Sequence, residues 1–287
     1  MSIATGIDHV LVLASDLEAA AGRYERLGFT LTPRGAHLGQ GTHNRCVMLE
    51  DQYLELIAVH EPSDKNRNWQ DRLLTFGEGL SAIALATGDE IAAEKALRQE
   101  GLGQGERMRL SRPIASAGGD RAAEFGIVRV ATGAVPWLKL FFCRHYNPDL
   151  VWQPRWQAHA NGARRIEEVV AVDPTPGRAV EVLRKLAGPA AVTVAEGEVR
   201  ARLGGTTVAI LTAEKYAEWS GGLDLETARS RTGLVGATIA VDDLPRASRV
   251  VEASGVFMVG GADWIIIPPT QTSGVMLKLV GAGSAPS

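Results

Sequence analysis

From Ile7 the chain reads IDHVLVL, an apolar run broken only by Asp8 and His9 and of strand length. The pattern then changes to helical spacing, with Leu17, Ala20, Ala21, Tyr24 and Leu27 on one face. Ser15 and Glu18 stand as a capping box before that face. Gly28 follows it, where a left-handed helix end favours glycine. Three shorter strand patterns come next, at 29–33, 43–49 and 53–59. The stretch therefore reads β-α-β-β-β.

This pattern recurs. A strand, a helix and a closing glycine return from Gly79 to Gly101, from Ile166 to Gly188 and from Gly233 to Gly255. Ile7 to Gly28, Leu80 to Gly101 and Leu234 to Gly255 are each 21 residues apart, and Ile166 to Gly188 is 22. In the third copy Thr175 is placed as N-cap with Pro176 in the first turn. Strand patterns follow each helix: 125–132 and 137–142 in the second copy, 191–195, 199–203 and 207–211 in the third, and 256–259, 264–267 and 275–280 in the fourth. One such unit cannot bury its sheet face alone, so the copies must pair. The expected fold class is α+β: four βαβββ modules pairing into two cupped mixed sheets, with helices outside. The order of pairing is left open.

The expected organisation is a first module pair at 1–145, an aromatic and proline-rich connector at 146–164, and a second, degenerate pair at 165–282. Tyr146, Trp152 and Trp156 make the connector too apolar to float free. The GAGSAPS end reads as a frayed tail.

Composition changes this picture little. With 45% hydrophobic and 22% charged residues, the 287-residue chain has an ordinary globular balance. Its net charge of -3 and scattered basic residues give no reason to expect nucleic acid. Two distant cysteines, Cys46 and Cys143, make no metal or disulfide framework. MSIATGIDH lacks the charge and apolar core of a signal peptide, and no apolar run approaches the ~20 residues of a membrane span. The expectation is a cytoplasmic chain with no membrane partner, a monomer or homodimer whose partner is a small molecule.

The GIDH start, the YERLGF helix end and YLEL on the fourth strand resemble modules of the vicinal oxygen chelate superfamily, which includes glyoxalase I, bleomycin-resistance proteins and extradiol dioxygenases. GTHNR (41–45) and FFCRHYNPDLVW (141–152) resemble more narrowly the glyoxalase-like domain proteins, over roughly the first 165 residues. In metal-binding members each module offers one ligand from its first strand and one from its fourth. The resemblance places His9 and Glu55 at those positions in the first module, a pair suited to Zn, Mn, Ni or Fe(II). The second module has Ala82 and Lys139 there, the third Glu168 and Ala209, and the fourth Gly236 and Lys278. No pair of modules restores a full ligand set.

Two chemistries follow. With one divalent transition metal on His9 and Glu55, the protein is a lyase or isomerase of a small vicinal-oxygen substrate, Glu55 or His145 moving the proton. Oxygen chemistry is set aside for want of a second imidazole beside the carboxylate. Without metal, Lys139 neutralises Glu55 and the cup sequesters a small molecule, as in the bleomycin-resistance branch. His43, Asn44, Arg45, Lys139 and Trp152 are the expected substrate-binding residues, with His43 turned away if Asp51 and Gln52 make a two-residue hairpin. His37, His60 and His159 read as surface histidines.

Overall fold

In the computed structural model, residues 2–114 and 121–283 are described. Both faces of the first strand, β1 (Ile7–Leu13), are buried. Its alternation therefore sorts side chains between two interiors: Val10 and Val12 enter the main core, while His9 and Leu11 line a cavity on the other face. The first half continues with α1 (Leu17–Arg26), β2 (Gly35–His37), β3 (Thr42–Met48), β4 (Tyr53–Val59), α2 (Arg67–Phe76), β5 (Gly79–Ala86), α3 (Glu90–Gln99), β6 (Met108–Ile114), β7 (Arg121–Arg129) and β8 (Leu140–His145). The second half repeats the plan: β9 (Ala163–Val172), α4 (Val180–Ala187), β10 (Val192–Ala195), β11 (Glu198–Leu203), β12 (Thr206–Leu211), α5 (Ala213–Trp219), α6 (Leu225–Ser230), β13 (Gly233–Val241), α7 (Leu244–Ala253), β14 (Val259–Gly260), β15 (Trp264–Ile267) and β16 (Met276–Gly281).

The described strands form two eight-stranded mixed sheets, ordered β2-β3-β4-β1-β5-β8-β7-β6 and β10-β11-β12-β9-β13-β16-β15-β14. The fold is α+β, four βαβββ modules in two cupped sheets with helices outside. Antiparallel pairing of β1 with β5 joins the first two modules, and β9 with β13 joins the last two. One apolar core, running from Val10 and Tyr24 to Leu186 and Leu279, spans both halves. Gln52 ties them further: its amide donates to Thr206 Oγ1 at 2.6 Å and accepts from Ile166 N at 3.0 Å.

Several local expectations change. The N-cap of α1 is Asp16, which accepts from the amides of Glu18 and Ala19, whereas Ser15 N donates to Glu78. The strand expected at 29–33 is replaced by β2, beyond Pro33, whose missing N–H cannot extend a ladder. The last strand of the second module begins at Leu140 rather than Trp137. In the third module Thr175 makes no side-chain cap; a 3-10 turn at Pro176–Ala179 precedes α4. His159 is buried, with Nδ1 accepting from Thr30 N at 3.0 Å and Nε2 2.8 Å from Met48 O, so the connector is fastened to the first module. Positions 284–287 of the tail lie outside the described residues.

The first sheet curls until its outer strands meet, with Leu38 N 3.4 Å from Ser111 O across β2 and β6. Gly35 permits this closure: a Cβ there would fall 2.5 Å from Arg112 Cδ and 2.7 Å from Asn44 Oδ1. Helix α2, absent from the sequence pattern, lies over the resulting cup through Trp69 and Leu73. In the second half the connection at the same place in the plan, α5, fills its cup with Tyr216 and Trp219.

Candidate functional site

The first cup encloses a cavity of about 710 Å³ lined by residues of both its modules. Strand alternation delivers His9 from β1, Asn44 and Cys46 from β3, and Tyr53 and Glu55 from β4 to this face. The β3–β4 connection is two residues longer than the expected hairpin, with Met48 opposite Tyr53 and Cys46 opposite Glu55. A two-residue change keeps the parity, so Asn44 faces the cup and His43 does not. His43 instead stacks on His60 at 5.0 Å, and Arg45 pairs outside with Glu18 and Glu25.

His9 and Glu55 are both nearly inaccessible, at 4% and 5% exposure. His9 Nδ1 lies 2.5 Å from Asp8 Oδ1, and Nε2 is 3.5 Å from Glu55 Oε2. Burial pushes the Asp8 carboxyl up, but its bonds to His145 and His9 and their charge outweigh this and leave it below its ordinary value. An ionised Asp8 accepts a hydrogen bond from His9 Nδ1–H, so the Nε2 lone pair turns toward the cup. On the other side of the carboxylate, His37 Nε2 is 3.5 Å from Glu55 Oε1, while His37 Nδ1 is 3.0 Å from Thr42 Oγ1. Burial pushes the His37 imidazole down, against the pull of Glu55, and so keeps it neutral. Asn44 Nδ2 donates to Glu55 Oε1 at 2.6 Å.

Taken pairwise, each of the two separations from Glu55 suits donors to one divalent transition metal, although the three side chains do not bring one ligand atom each within 4.8 Å of one another. A separation of 3.5 Å exceeds hydrogen-bond length. It is close to the ~3.4 Å between two donors that share one ion through tetrahedral bonds of about 2.1 Å. Each donor is also held by its own partner: His9 by Asp8, His37 by Thr42, Glu55 by Asn44. The sequence reading missed His37, whose signal was its place at β2, a strand set by the barrel closure. A second grouping meets the first at His9. Asp8, His9, Cys143 and His145 bring one potential ligand atom each within 4.8 Å of one another. Within it, Asp8 Oδ1 also takes His145 Nε2 at 3.0 Å, and Cys143 Sγ is 3.8 Å from the same nitrogen. Burial raises the Cys143 thiol well above its ordinary range.

The other predicted residues are placed as follows. His145 stands behind Asp8 and does not line the cavity, its Nδ1 buried without a partner. Trp152 lies behind it, edge-on to His145 at 4.7 Å and to Tyr53 at 5.8 Å. Tyr53 in turn stacks on the His9 ring at 4.3 Å. The strand register also moves one correspondence. Leu11 pairs with Glu55 across β1 and β4, and its counterpart Ala84 pairs with Phe141 across β5 and β8. Phe141, not Lys139, therefore matches Glu55, and exposed Lys139 makes no ion pair with it among the described residues. The cation near Glu55 is Arg112 of β6, 6% exposed, whose Nη1 donates to Asn44 Oδ1 at 3.2 Å.

In the second cup Tyr216 and Trp219 pack against Val170, Ala209, Val235 and Met276. Trp219 Nε1 donates to Glu168 Oε2 at 2.8 Å, Arg200 pairs with Oε1 at 2.5 Å, and Lys278 lies over the Trp219 ring at 5.6 Å. Burial pushes Glu168 up, opposed by Arg200, Trp219 and Lys278.

Comparison with known proteins agrees with this architecture. A family model described as a glyoxalase-like domain matches residues 7–187. No curated protein matches the chain by sequence. Among solved structures, a hypothetical protein from Staphylococcus aureus superimposes with a TM-score of 0.68 at 13% identity, over 96% of this chain and 98% of its own. A mutant 4-hydroxymandelate synthase from Streptomyces coelicolor gives 0.64 at 12% identity, over 99% and 94%. A xylose isomerase-like TIM barrel/4-hydroxyphenylpyruvate dioxygenase fusion protein gives 0.61 at 17% identity, over 99% of this chain and 50% of its own. At these identities the likeness speaks for the fold. No helix among the described residues is long and apolar enough to cross a membrane.

Proposed function

The chain belongs to the glyoxalase-like domain family, and from that premise we propose that it is a metal-assisted lyase or isomerase. Its substrate is a small molecule with two neighbouring oxygens, bound in the first cup. One arrangement supports this reading: two imidazole nitrogens, each 3.5 Å from an oxygen of the buried Glu55 and each fixed from behind. His9, Glu55 and His37 would hold a divalent ion, Zn, Mn, Ni or Fe(II). When bound, it supplies Lewis acidity toward the substrate oxygens.

The chain's own residues do the rest. Asp8 keeps the His9 lone pair turned inward, with His145 holding Asp8 one layer back. Asn44 donates to Glu55 Oε1 and fixes the carboxylate that would accept the substrate proton. Phe141 and Tyr53 exclude water from the His9 ring, at 5.7 and 4.3 Å. His37 also removes the reason for setting oxygen chemistry aside, because it is a second imidazole beside the carboxylate. The dioxygenase named in one structural neighbour makes that chemistry a further activity to assay.

A second reading has an observation of its own. Arg112 reaches Glu55 through Asn44, and a guanidinium there offsets the carboxylate without metal. The cup would then bind a small molecule and perform no chemistry. Elemental analysis of the purified protein, with His9→Ala as control, separates the two. About one equivalent of a transition metal, lost in the variant, supports the enzyme. No metal after incubation with Zn, Mn, Ni and Fe(II) sinks it and leaves the binding protein.

A further inference from the structure

The charge of the first cup does not match that of the chain. The protein carries a net charge of -3, yet the cavity is lined by Lys65, Arg72, Arg112, Arg129 and Lys139. None of these five makes an ion pair among the described residues. The acidic side chains facing them are Glu55 and Asp64, and Asp64 is already paired with Arg67. Lys65, Arg129 and Lys139 are exposed, Arg72 is half-buried and Arg112 is buried, so positive charge runs from the mouth to the floor.

Arg112 is buried with no direct anionic partner among the described residues. Its Nη1 reaches the neutral Asn44 oxygen at 3.2 Å and Cys46 Sγ at 3.7 Å, while its Nε is buried with no partner. Burial pushes the Cys46 thiol up to about 12, so it supplies no negative charge at neutral pH. Arg72 donates to Leu80 O at 3.1 Å, and its guanidinium is pushed down to about 10 by burial and by Arg231 nearby. A buried guanidinium donor without an acceptor is costly, and an oxyanion is the group its fork fits. Between the cations the wall is apolar, with Leu110, Phe125, Ile127, Trp69 and Leu138.

We propose that the first cup takes a small organic acid, its carboxylate on Arg112 and its apolar body against the wall between β6, β7 and α2. A single buried guanidinium beside Glu55 suits a monoanionic head better than a phosphate dianion, whose second charge would repel that carboxylate. The cations at the mouth draw the anion in, an effect that salt screens. This inference rests on the reading of the first cup as the working site, and not on its metal.

The test is calorimetric titration of chelator-treated protein with hexanoate, its neutral isostere hexanamide, and hexyl phosphate. Failure of the untreated protein to hold metal after incubation with Zn, Mn, Ni and Fe(II) would sink the catalytic reading alone and leave this result standing. Hexanoate should bind about tenfold or more tightly than hexanamide, and Arg112→Gln should weaken hexanoate by about the same factor, since hydrogen bonds to a charged group carry that much. Equal binding of acid and amide, or no binding of either, overturns the proposal. Tighter binding of hexyl phosphate overturns the choice of head group. Should Arg112→Gln fail to fold, the exposed pair Arg129→Gln/Lys139→Gln decides. Its hexanoate affinity must fall at low salt and approach wild type at 0.5 M salt, and unchanged affinity at low salt counts against the proposal.

Discussion

Trp219 lies so close over Gly236 that a Cβ on residue 236 would come within 2.6 Å of its Cη2. Gly236 is the fourth module's counterpart of Ala82 in the second, so the position that is a small residue beside an open cavity in one cup lies under an indole in the other. Gly236→Ala should destabilise the fold by about 1–3 kcal/mol through overpacking. Trp219→Ala should cost about 3–5 kcal/mol and leave a cavity. Urea unfolding measures both, and unchanged midpoints would show that the indole is not a plug. Neither variant should alter ligand or metal binding in the first cup.

Removal of the donors should empty the metal site. Glu55→Gln and His9→Ala lose bound metal in elemental analysis. Asp8→Asn leaves both donors in place but frees the His9 ring, and its affinity should fall about 10–100-fold in competition with a chelator. Full affinity in Asp8→Asn would mean that Nδ1 needs no anchor.

Strand parity predicts opposite results for two histidines of one hairpin. His37→Ala should lower metal occupancy, whereas His43→Ala should leave it at the wild-type level, because His43 stacks on His60 outside the cup. Arg45→Ala, which removes exposed pairs with Glu18 and Glu25, should cost about 1 kcal/mol or less without touching occupancy. Loss of metal in His43→Ala would place the wrong face inward.

Glu90, 7% exposed at the start of α3, ties that helix to β8. Burial raises its carboxyl, but the Tyr146 hydroxyl at 2.5 Å and Arg144 at 2.8 Å outweigh it and hold the group down to about 2, from an ordinary 4.5. A carboxyl depressed in the fold stabilises it above the unfolded value, and that contribution is lost as pH falls through the folded one. Glu90→Gln should therefore cost about 2 kcal/mol at pH 7, with the gap from wild type narrowing between pH 4.5 and 2. Urea unfolding across that range checks it; a gap independent of pH would assign the cost to packing.

The site roles of His9 and Glu55 came from the resemblance, while the repeat, the α+β class and the strands that carry those two residues were legible in the chain itself. Their signals are local: a period of two in strands, a helical period between them, and glycine at a fixed distance, each set by backbone geometry within about twenty residues. The side His43 and Asn44 take was open, because it depends on the parity of a hairpin whose length local pattern does not define. What surrounds Glu55 was decided only by the tertiary structure. His37 and Arg112 come from the two outermost strands of the first sheet, and they meet across the cup because the sheet curls shut over Gly35. Closure is a property of the whole sheet, its twist and its edges, so no window of sequence records it. The same holds for α2 and α5, which occupy matching places in the two halves. One lies beside a cavity through Trp69, and the other puts Tyr216 and Trp219 into the apolar cluster of its cup.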